Sequence, residues 1–216
     1  MGMKLYNSQL SPFSARVRIA AYAKNLDIEI ISAFLDPAAL AELEKINPMR
    51  MVPTLVSDGL VLPESEVICE YFEDLGLTPS LRPADAEGRA RMRLLSRIGD
   101  LYIMDPMTRL AGQISPKGRD QALVERELAE LASGMSWLNF YLDGSAFAVG
   151  GRLSLADCTL APILFFYAQI GPMFGYADVF KDTPSVSSYY KAMKNDPNIA
   201  RVLGEMEVAL RKVFGG

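Results

Sequence analysis

The chain has 216 residues, half of them hydrophobic, and a net charge of −4 with both signs scattered along it, so it can bury a large core and offers neither a basic stripe for nucleic acid nor an acidic tail. It contains no histidine and only two cysteines, Cys69 and Cys158, far apart in sequence, which excludes Ser-His-Asp hydrolysis, histidine-based metal catalysis, a zinc site and a CxxC redox pair. The opening Lys4-Leu5-Tyr6 does not read as a secretory leader and no apolar run approaches the ~20 residues of a membrane span, which predicts a cytoplasmic protein with no membrane or metal partner.

In chain order, Lys4 to Asn7 reads as a strand. After the break Ser11-Pro12-Phe13-Ser14, the segment Ala15 to Lys24 carries Val17, Ile19, Ala20 and Ala23 at helical spacings. Asp27 to Ser32 is isoleucine-rich like a buried strand, and Ala38 to Ile46 is helical, so the chain opens on a right-handed βαβ unit. Beyond Asn47-Pro48, short strands at Thr54 to Ser57 and Val61 to Leu62 flank Asp58-Gly59, a hairpin signal, and Glu66 to Leu75 is a helix. Gly76 to Asp85, with Gly76, Pro79 and Pro83, has no sustained period and reads as a linker. From Ala86 the pattern is helical almost to the end: Glu87 to Ala111 with a kink at Asp105-Pro106, then Lys117 to Leu142, Leu155 to Ile170, Val186 to Asn195 and Ile199 to Val213. The predicted division is a first domain over 1–78, a linker at 79–85 and an all-helical domain over 86–216. Ser154-Leu155-Ala156-Asp157 fits an N-cap with an acid at the third helical position, a stability element with no catalytic part.

The most informative stretch is Val52-Pro53-Thr54-Leu55, followed by Leu62-Pro63-Glu64-Ser65 at the start of a helical pattern. Pro53 has no N–H to give to a ladder, so this strand is an edge or begins there on an unusual peptide bond. A cis bond would turn the N–H and C=O of Val52 out of the ladder, where an extended peptide-like ligand could use them. A helix N-terminus at Ser65 offers N–H groups and partial positive charge to a carboxylate, while Glu64 offers negative charge to an ammonium group. Together they suit both ends of an α-amino acid.

This order of elements, with Val52-Pro53 and Glu64-Ser65 at these points, resembles the cytosolic glutathione transferases over nearly the whole chain. The resemblance implies an α/β thioredoxin-like N-terminal domain plus an all-α helical-bundle C-terminal domain. It also implies glutathione as ligand, with Val52 and a cis Pro53 at its cysteinyl backbone, Glu64 and Ser65 at its γ-glutamyl group, and Phe13 among the residues around it. Many relatives carry Lys, Gln or Arg just before the Val-Pro step to meet the glycyl carboxylate. This chain has Met51 there, with Arg50 beside it but directed the other way in an extended segment. Arg16 is a further basic candidate, otherwise a solvated helical residue.

A glutathione enzyme must ionise a thiol of pKa ~8.5. Lowering that value by ~2 units requires ~2.7 kcal/mol, and one charged hydrogen bond supplies ~1.5–3 kcal/mol. A hydroxyl at the first loop therefore suffices, and Ser11 and Ser14 are both placed for it, Ser14 having simple N-capping as its other role. The run Ser11-Pro12-Phe13-Ser14-Ala15-Arg16-Val17-Arg18-Ile19 resembles the serine-type transferases of the tau and zeta classes, which implies Ser11 as donor to the sulfur and Ser14 second. Tyr6 lies inside the strand, so a tyrosine-type site is not expected. No cysteine stands in the loop, which favours conjugation, elimination or isomerisation over thiol-disulfide exchange.

The second substrate is expected between the two domains, with Tyr102, Ile103, Met104, Met107, Phe166, Met173 and Phe174 as candidates for an apolar wall, although such a stripe also reads as core. The segments Glu64 to Asp74 and Ser80 to Asp85 also resemble the bacterial β-etherase-type transferases. The implied function is attack of the glutathione thiolate on a hydrophobic electrophile, in a detoxifying two-fold homodimer. The alternatives are a glutathione-dependent cis-trans isomerase of the maleylacetoacetate or maleylpyruvate type, a β-etherase-like lyase, and a non-catalytic glutathione-fold binding protein.

Overall fold

The computed structural model describes residues 2–175 and 178–214. Its first elements are β1 (Met3–Asn7), α1 (Pro12–Ala23), β2 (Ile28–Ser32), α2 (Pro37–Ile46), β3 (Thr54–Ser57), β4 (Leu60–Pro63) and α3 (Ser65–Asp74). The four strands form one sheet in the order β2-β1-β3-β4. Because α1 carries the chain back across the sheet, β1 and β2 run parallel, whereas β3 is antiparallel to both β1 and β4. Asp58 and Gly59 both take positive φ, 48° and 87°, as the two-residue turn of the β3–β4 hairpin requires. Strand alternation divides the core: Tyr6 joins Ala33 and the α2 residues Ala39 and Leu43, with Ile31, Val52 and Val56 packed on them. Leu5 and Leu55, one position along, are fully buried on the other face, and α1 packs against α3.

The remaining helices are α4 (Ala86–Ile98), α5 (Asp105–Ala111), α6 (Gln121–Tyr141), α7 (Leu155–Ile170), α8 (Pro184–Ala192) and α9 (Pro197–Phe214). Where the sequence predicts one kinked helix over 87–111, α4 and α5 are joined by a π-helical segment, Gly99–Met104. Pro106 has no N–H to return to the Tyr102 carbonyl, and the Asp105 N–H reaches back five residues to the Asp100 carbonyl instead. The helix α7 is buried on nearly every side, as its continuous apolar sequence requires. Its start is fixed as the sequence predicts: the Asp157 carboxylate accepts from the Ser154 N–H at 2.8 Å and from the Ser154 hydroxyl at 2.7 Å.

The chain divides into two compact units, one comprising residues up to Leu81 together with α9, the other Arg82–Asp196. In this division the last helix groups with the sheet, whereas the sequence places it in a helical domain over 86–216. Its periodicity marks α9 as amphipathic but cannot say which unit its apolar stripe covers. The decision is made by α1, which packs along α9 and pairs its Arg18 with Glu205 at 2.7 Å. At the exit of this unit the buried Lys24 ammonium meets Glu73 at 2.8 Å and the carbonyls of Leu77 and Pro79, both at 2.9 Å.

Candidate functional site

Sheet register gathers the sequence-predicted residues. Tyr6 pairs with Thr54, and Thr54 with Pro63. The loop after β1, the step before β3 and the residue after β4 therefore leave the sheet at the same end, bringing Ser11, Val52-Pro53 and Glu64-Ser65 into one region.

The Val52–Pro53 bond is cis, and the β1–β3 ladder begins only at Thr54, so Val52 stands outside it. Asn47, nearly fully buried, holds this segment. Its Nδ2 donates to Thr54 Oγ1 at 2.8 Å and to the Met51 carbonyl at 3.3 Å, and its Oδ1 accepts from the Met49 N–H at 2.9 Å. Sequence reading took Asn47-Pro48 only as a break and missed this role; an asparagine ahead of a proline-bearing strand was the available signal. The two residues before Val52 diverge: Arg50 has φ 54° and approaches Glu44 at 3.8 Å, while Met51 is 62% exposed.

At α3 the helix start is unusual. The helices α1, α2, α4 and α6 are capped by the side chains of Ser11, Asp36, Asp85 and Asp120, whereas Glu64 gives α3 no side-chain cap. The first N–H groups of α3 thus take no hydrogen bond from the N-cap side chain, although Glu66 lies in the first turn, and they can meet a carboxylate with the Ser65 hydroxyl beside them. Glu64 reaches this position at φ 69°, ψ 113°. Such backbone in a residue other than glycine costs ~1–3 kcal/mol and is concentrated at binding sites.

The start of α1 reverses one expectation. Pro12 occupies the first helical turn, so α1 begins ahead of Ala15 and Ser11, not Ser14, is the N-cap. Ser11 Oγ accepts from the Ser14 N–H at 3.3 Å, which leaves its own O–H to donate. Ser14 is fully buried and its Oγ accepts from the Ser8 N–H at 3.3 Å. Arg16 is buried against the Phe13 ring at 5.8 Å and is not the solvated residue the helix pattern suggests. Tyr6 is buried in the α2 cluster, and burial together with the neighbouring Glu42 pushes its hydroxyl up to about 12.

Residues 5–79 match the glutathione S-transferase N-terminal domain and residues 121–192 the glutathione S-transferase C-terminal domain. A maleylacetoacetate isomerase of Rattus norvegicus is 33% identical over 166 residues, 73% of this chain and 74% of that protein. The chain belongs to the glutathione S-transferase family. This transferase is also similar to a maleylpyruvate isomerase of a Ralstonia species, 30% identical over 175 residues that cover 74% of this chain and 80% of the other. The crystal structure of a glutathione S-transferase from Methylobacillus flagellatus with glutathione bound superposes with a TM-score of 0.78 at 25% identity, covering 93% of this chain and 98% of that one. The thioredoxin-like and helical domains predicted from the sequence are those of this family, whose enzymes use glutathione as co-substrate.

The candidates for an apolar wall differ in their exposure. Ile103 and Met107 are fully buried and Met104 nearly so, because the stripe that carries them packs into the core of the helical unit, where α5 meets α6. Tyr102 is 44% exposed, edge-on to Trp137 at 4.9 Å. Phe166 is half-buried, Met173 is exposed, and Phe174 lies under the Arg119 guanidinium at 4.8 Å. An apolar cavity of about 590 Å³ lies instead within the sheet unit, lined by Ser8, Gln9 and Leu10 of the first loop, Phe34 and Leu35 after β2, and Glu205, Val208 and Val213 of α9. Sequence reading missed all of these. Phe34-Leu35 just ahead of the Asp36 cap, outside any periodic segment, was the visible signal.

Proposed function

We propose that this chain is a serine-type glutathione transferase in which the Ser11 hydroxyl donates to the glutathione thiolate and the sulfur attacks a neutral, apolar electrophile seated in the cavity beside the first loop. The observation that carries the assignment is the contrast between the two serines: Ser11 is partly exposed with its O–H free to donate, whereas Ser14 is sealed in the interior. Glutathione would lie along the Val52-Pro53 step, with its γ-glutamyl carboxylate at the uncapped start of α3 beside Ser65 and its ammonium group near Glu64. Phe13 flanks the same loop, and Arg50 is the cation available to the glycyl end in place of Met51.

Charge in the cavity favours a neutral substrate. Among its lining residues Lys212 is the cation and Glu205 the anion, and Glu205 is already engaged by Arg18. A dicarboxylate buried there would have Lys212 alone for its two charges. The isomerase reading draws its support from the similarity to the Rattus and Ralstonia isomerases. Assay with glutathione against aryl halides, aryl ethers and cis-dienoic diacids separates the two. Turnover of neutral aryl substrates that is abolished in Ser11→Ala supports the proposal; turnover of the diacids alone overturns its substrate class.

A cytoplasmic homodimer with a detoxifying role completes the reading. Its support is the surface of the helical unit, where Leu94 of α4 and Leu101 of the π-helical segment are 40% and 41% exposed and Trp137 and Phe140 of α6 are 47% and 81% exposed. Arg89, Arg93 and Arg97 recur along one face of α4, and Glu66, Glu70 and Asp74 along one face of α3. A two-fold axis setting the basic stripe of one copy on the acidic stripe of the other would match them. Sedimentation of a monomer at micromolar concentration would count against it.

A further inference from the structure

The side chain of Arg18 is fully buried in the sheet unit. Its Nη1 donates to Gln9 Oε1 and to Glu205 Oε2, the latter at 2.7 Å, and its Nη2 donates to the Gln9 carbonyl at 2.9 Å. Its Nε has no hydrogen-bond partner among the described residues. Removing a guanidinium and a bare N–H from water is costly, and a buried ion pair is often no better for stability than apolar side chains of the same volume. Stability alone therefore gives a weak reason for an arginine here.

What Arg18 joins is specific. Gln9 stands two residues before Ser11, in a turn closed by the Ser11 N–H donating to the Ser8 carbonyl at 3.1 Å. Glu205 stands on α9. Both Gln9 and Glu205 line the apolar cavity. The Glu205 carboxylate also accepts from the Tyr22 hydroxyl at 3.3 Å and from Arg201 Nε at 3.2 Å, with the Arg201 guanidinium stacked 3.7 Å over the Tyr22 ring. The α9 end of the link is thus held by three groups and the loop end by a side-chain and a main-chain oxygen, an arrangement that suits the planar fork of arginine and no other cation.

The geometry points to Arg18 as a positioning residue that couples the thiolate loop to the substrate wall: through Gln9 it fixes the turn carrying Ser11, and through Glu205 it fixes α9. The orientation of the Ser11 hydroxyl and the shape of the electrophile cavity are then set by one side chain. This inference rests on the assignment of Ser11 as thiolate donor and of that cavity as the electrophile site.

The test uses the full chain as Gln9→Ala, Glu205→Gln and the double variant, each checked for folding by circular dichroism. Three quantities are read: the pKa of bound glutathione by thiolate absorbance, the Kd of glutathione by calorimetry, and kcat and KM for an aryl electrophile. Either single variant is expected to raise the thiol pKa toward its free value and to raise the electrophile KM about tenfold, with the Kd of glutathione unchanged. The double variant should be no worse than the worse single, because both act through Arg18. Additive effects, or a lower melting temperature with unchanged pKa and KM, would overturn the coupling. Ser11→Ala in the same titration separates the two layers. An unshifted pKa there removes the Ser11 assignment and the coupling with it, whereas a shift in Ser11→Ala with none in the other variants removes the coupling alone.

Discussion

Gly134 of α6 lies so close to the carbonyl of Tyr102 that a Cβ at residue 134 would come within 2.1 Å of that oxygen. The carbonyl is the one that Pro106 leaves without its usual helical donor, and the missing side chain at 134 lets the two backbones meet there. In an exposed helix Gly→Ala gains ~1 kcal/mol. Here the neighbour is backbone and cannot give way, so Gly134→Ala is expected to destabilise the chain by ~1–3 kcal/mol. Urea unfolding followed by the emission of Trp137, the single tryptophan and itself packed on Tyr102, measures this directly. A gain in stability would show that the approach is not close.

Tyr189 donates to the Asp157 carboxylate at 2.8 Å, and the Ala148 N–H donates to the same oxygen at 2.8 Å. Burial pushes the Asp157 carboxyl up, opposed by the hydrogen bonds from Ser154, Ala148 and Tyr189. Tyr189→Phe removes one donor from a buried charge and should cost ~1.5–3 kcal/mol while leaving glutathione affinity unchanged. Calorimetric unfolding and glutathione titration of the variant check both halves of the statement.

Ser14→Ala is expected to lower stability by ~1–3 kcal/mol, since the Ser8 N–H loses its acceptor in a largely buried setting. The pKa of enzyme-bound glutathione should stay where it is. If Ser14→Ala abolished turnover in a folded protein, the thiolate donor would be Ser14.

Ser65→Ala should weaken glutathione by ~1–3 kcal/mol, a hydrogen bond to a charged group being lost at a helix start that has no side-chain cap of its own. Equal affinity of parent and variant by calorimetry would remove Ser65 from the site.

Glu127 supplies a pH prediction. Its buried carboxylate meets Arg109 at 2.6 Å and Arg126 at 2.7 Å. Burial alone would raise its pKa, but the hydrogen bonds from these two arginines outweigh it and hold the carboxyl below its ordinary 4.5. A group whose folded pKa is depressed contributes stability above its unfolded value and loses it as pH falls through the folded one. Glu127→Gln should therefore be less stable than the parent at neutral pH, with the gap narrowing as pH drops below about 4.5. Urea midpoints of both proteins across that range test it; a constant gap would deny the charge any part.

Much of the architecture was legible because it is written in local terms. Periodicity placed β3 at Thr54–Ser57 and α7 at Leu155–Ile170, turn chemistry marked Asp58-Gly59, and the Ser154-to-Asp157 spacing announced a cap, each needing only neighbours a few residues away. The cis Val52-Pro53 step and the helix start at Ser65 were likewise visible, since they depend on backbone features that proline and a helix start impose by themselves. What only the tertiary structure decided depends on which surfaces meet. An amphipathic stripe reports that α9 is half-buried but not that its partner is α1, and Ile103 and Met107, a stripe that reads as core more often than as wall, are shown to be core only where α6 covers them. Arg18 is the clearest case: the helix pattern says nothing of its partners, and its place between Gln9 and Glu205 exists only once residues 187 positions apart are folded together.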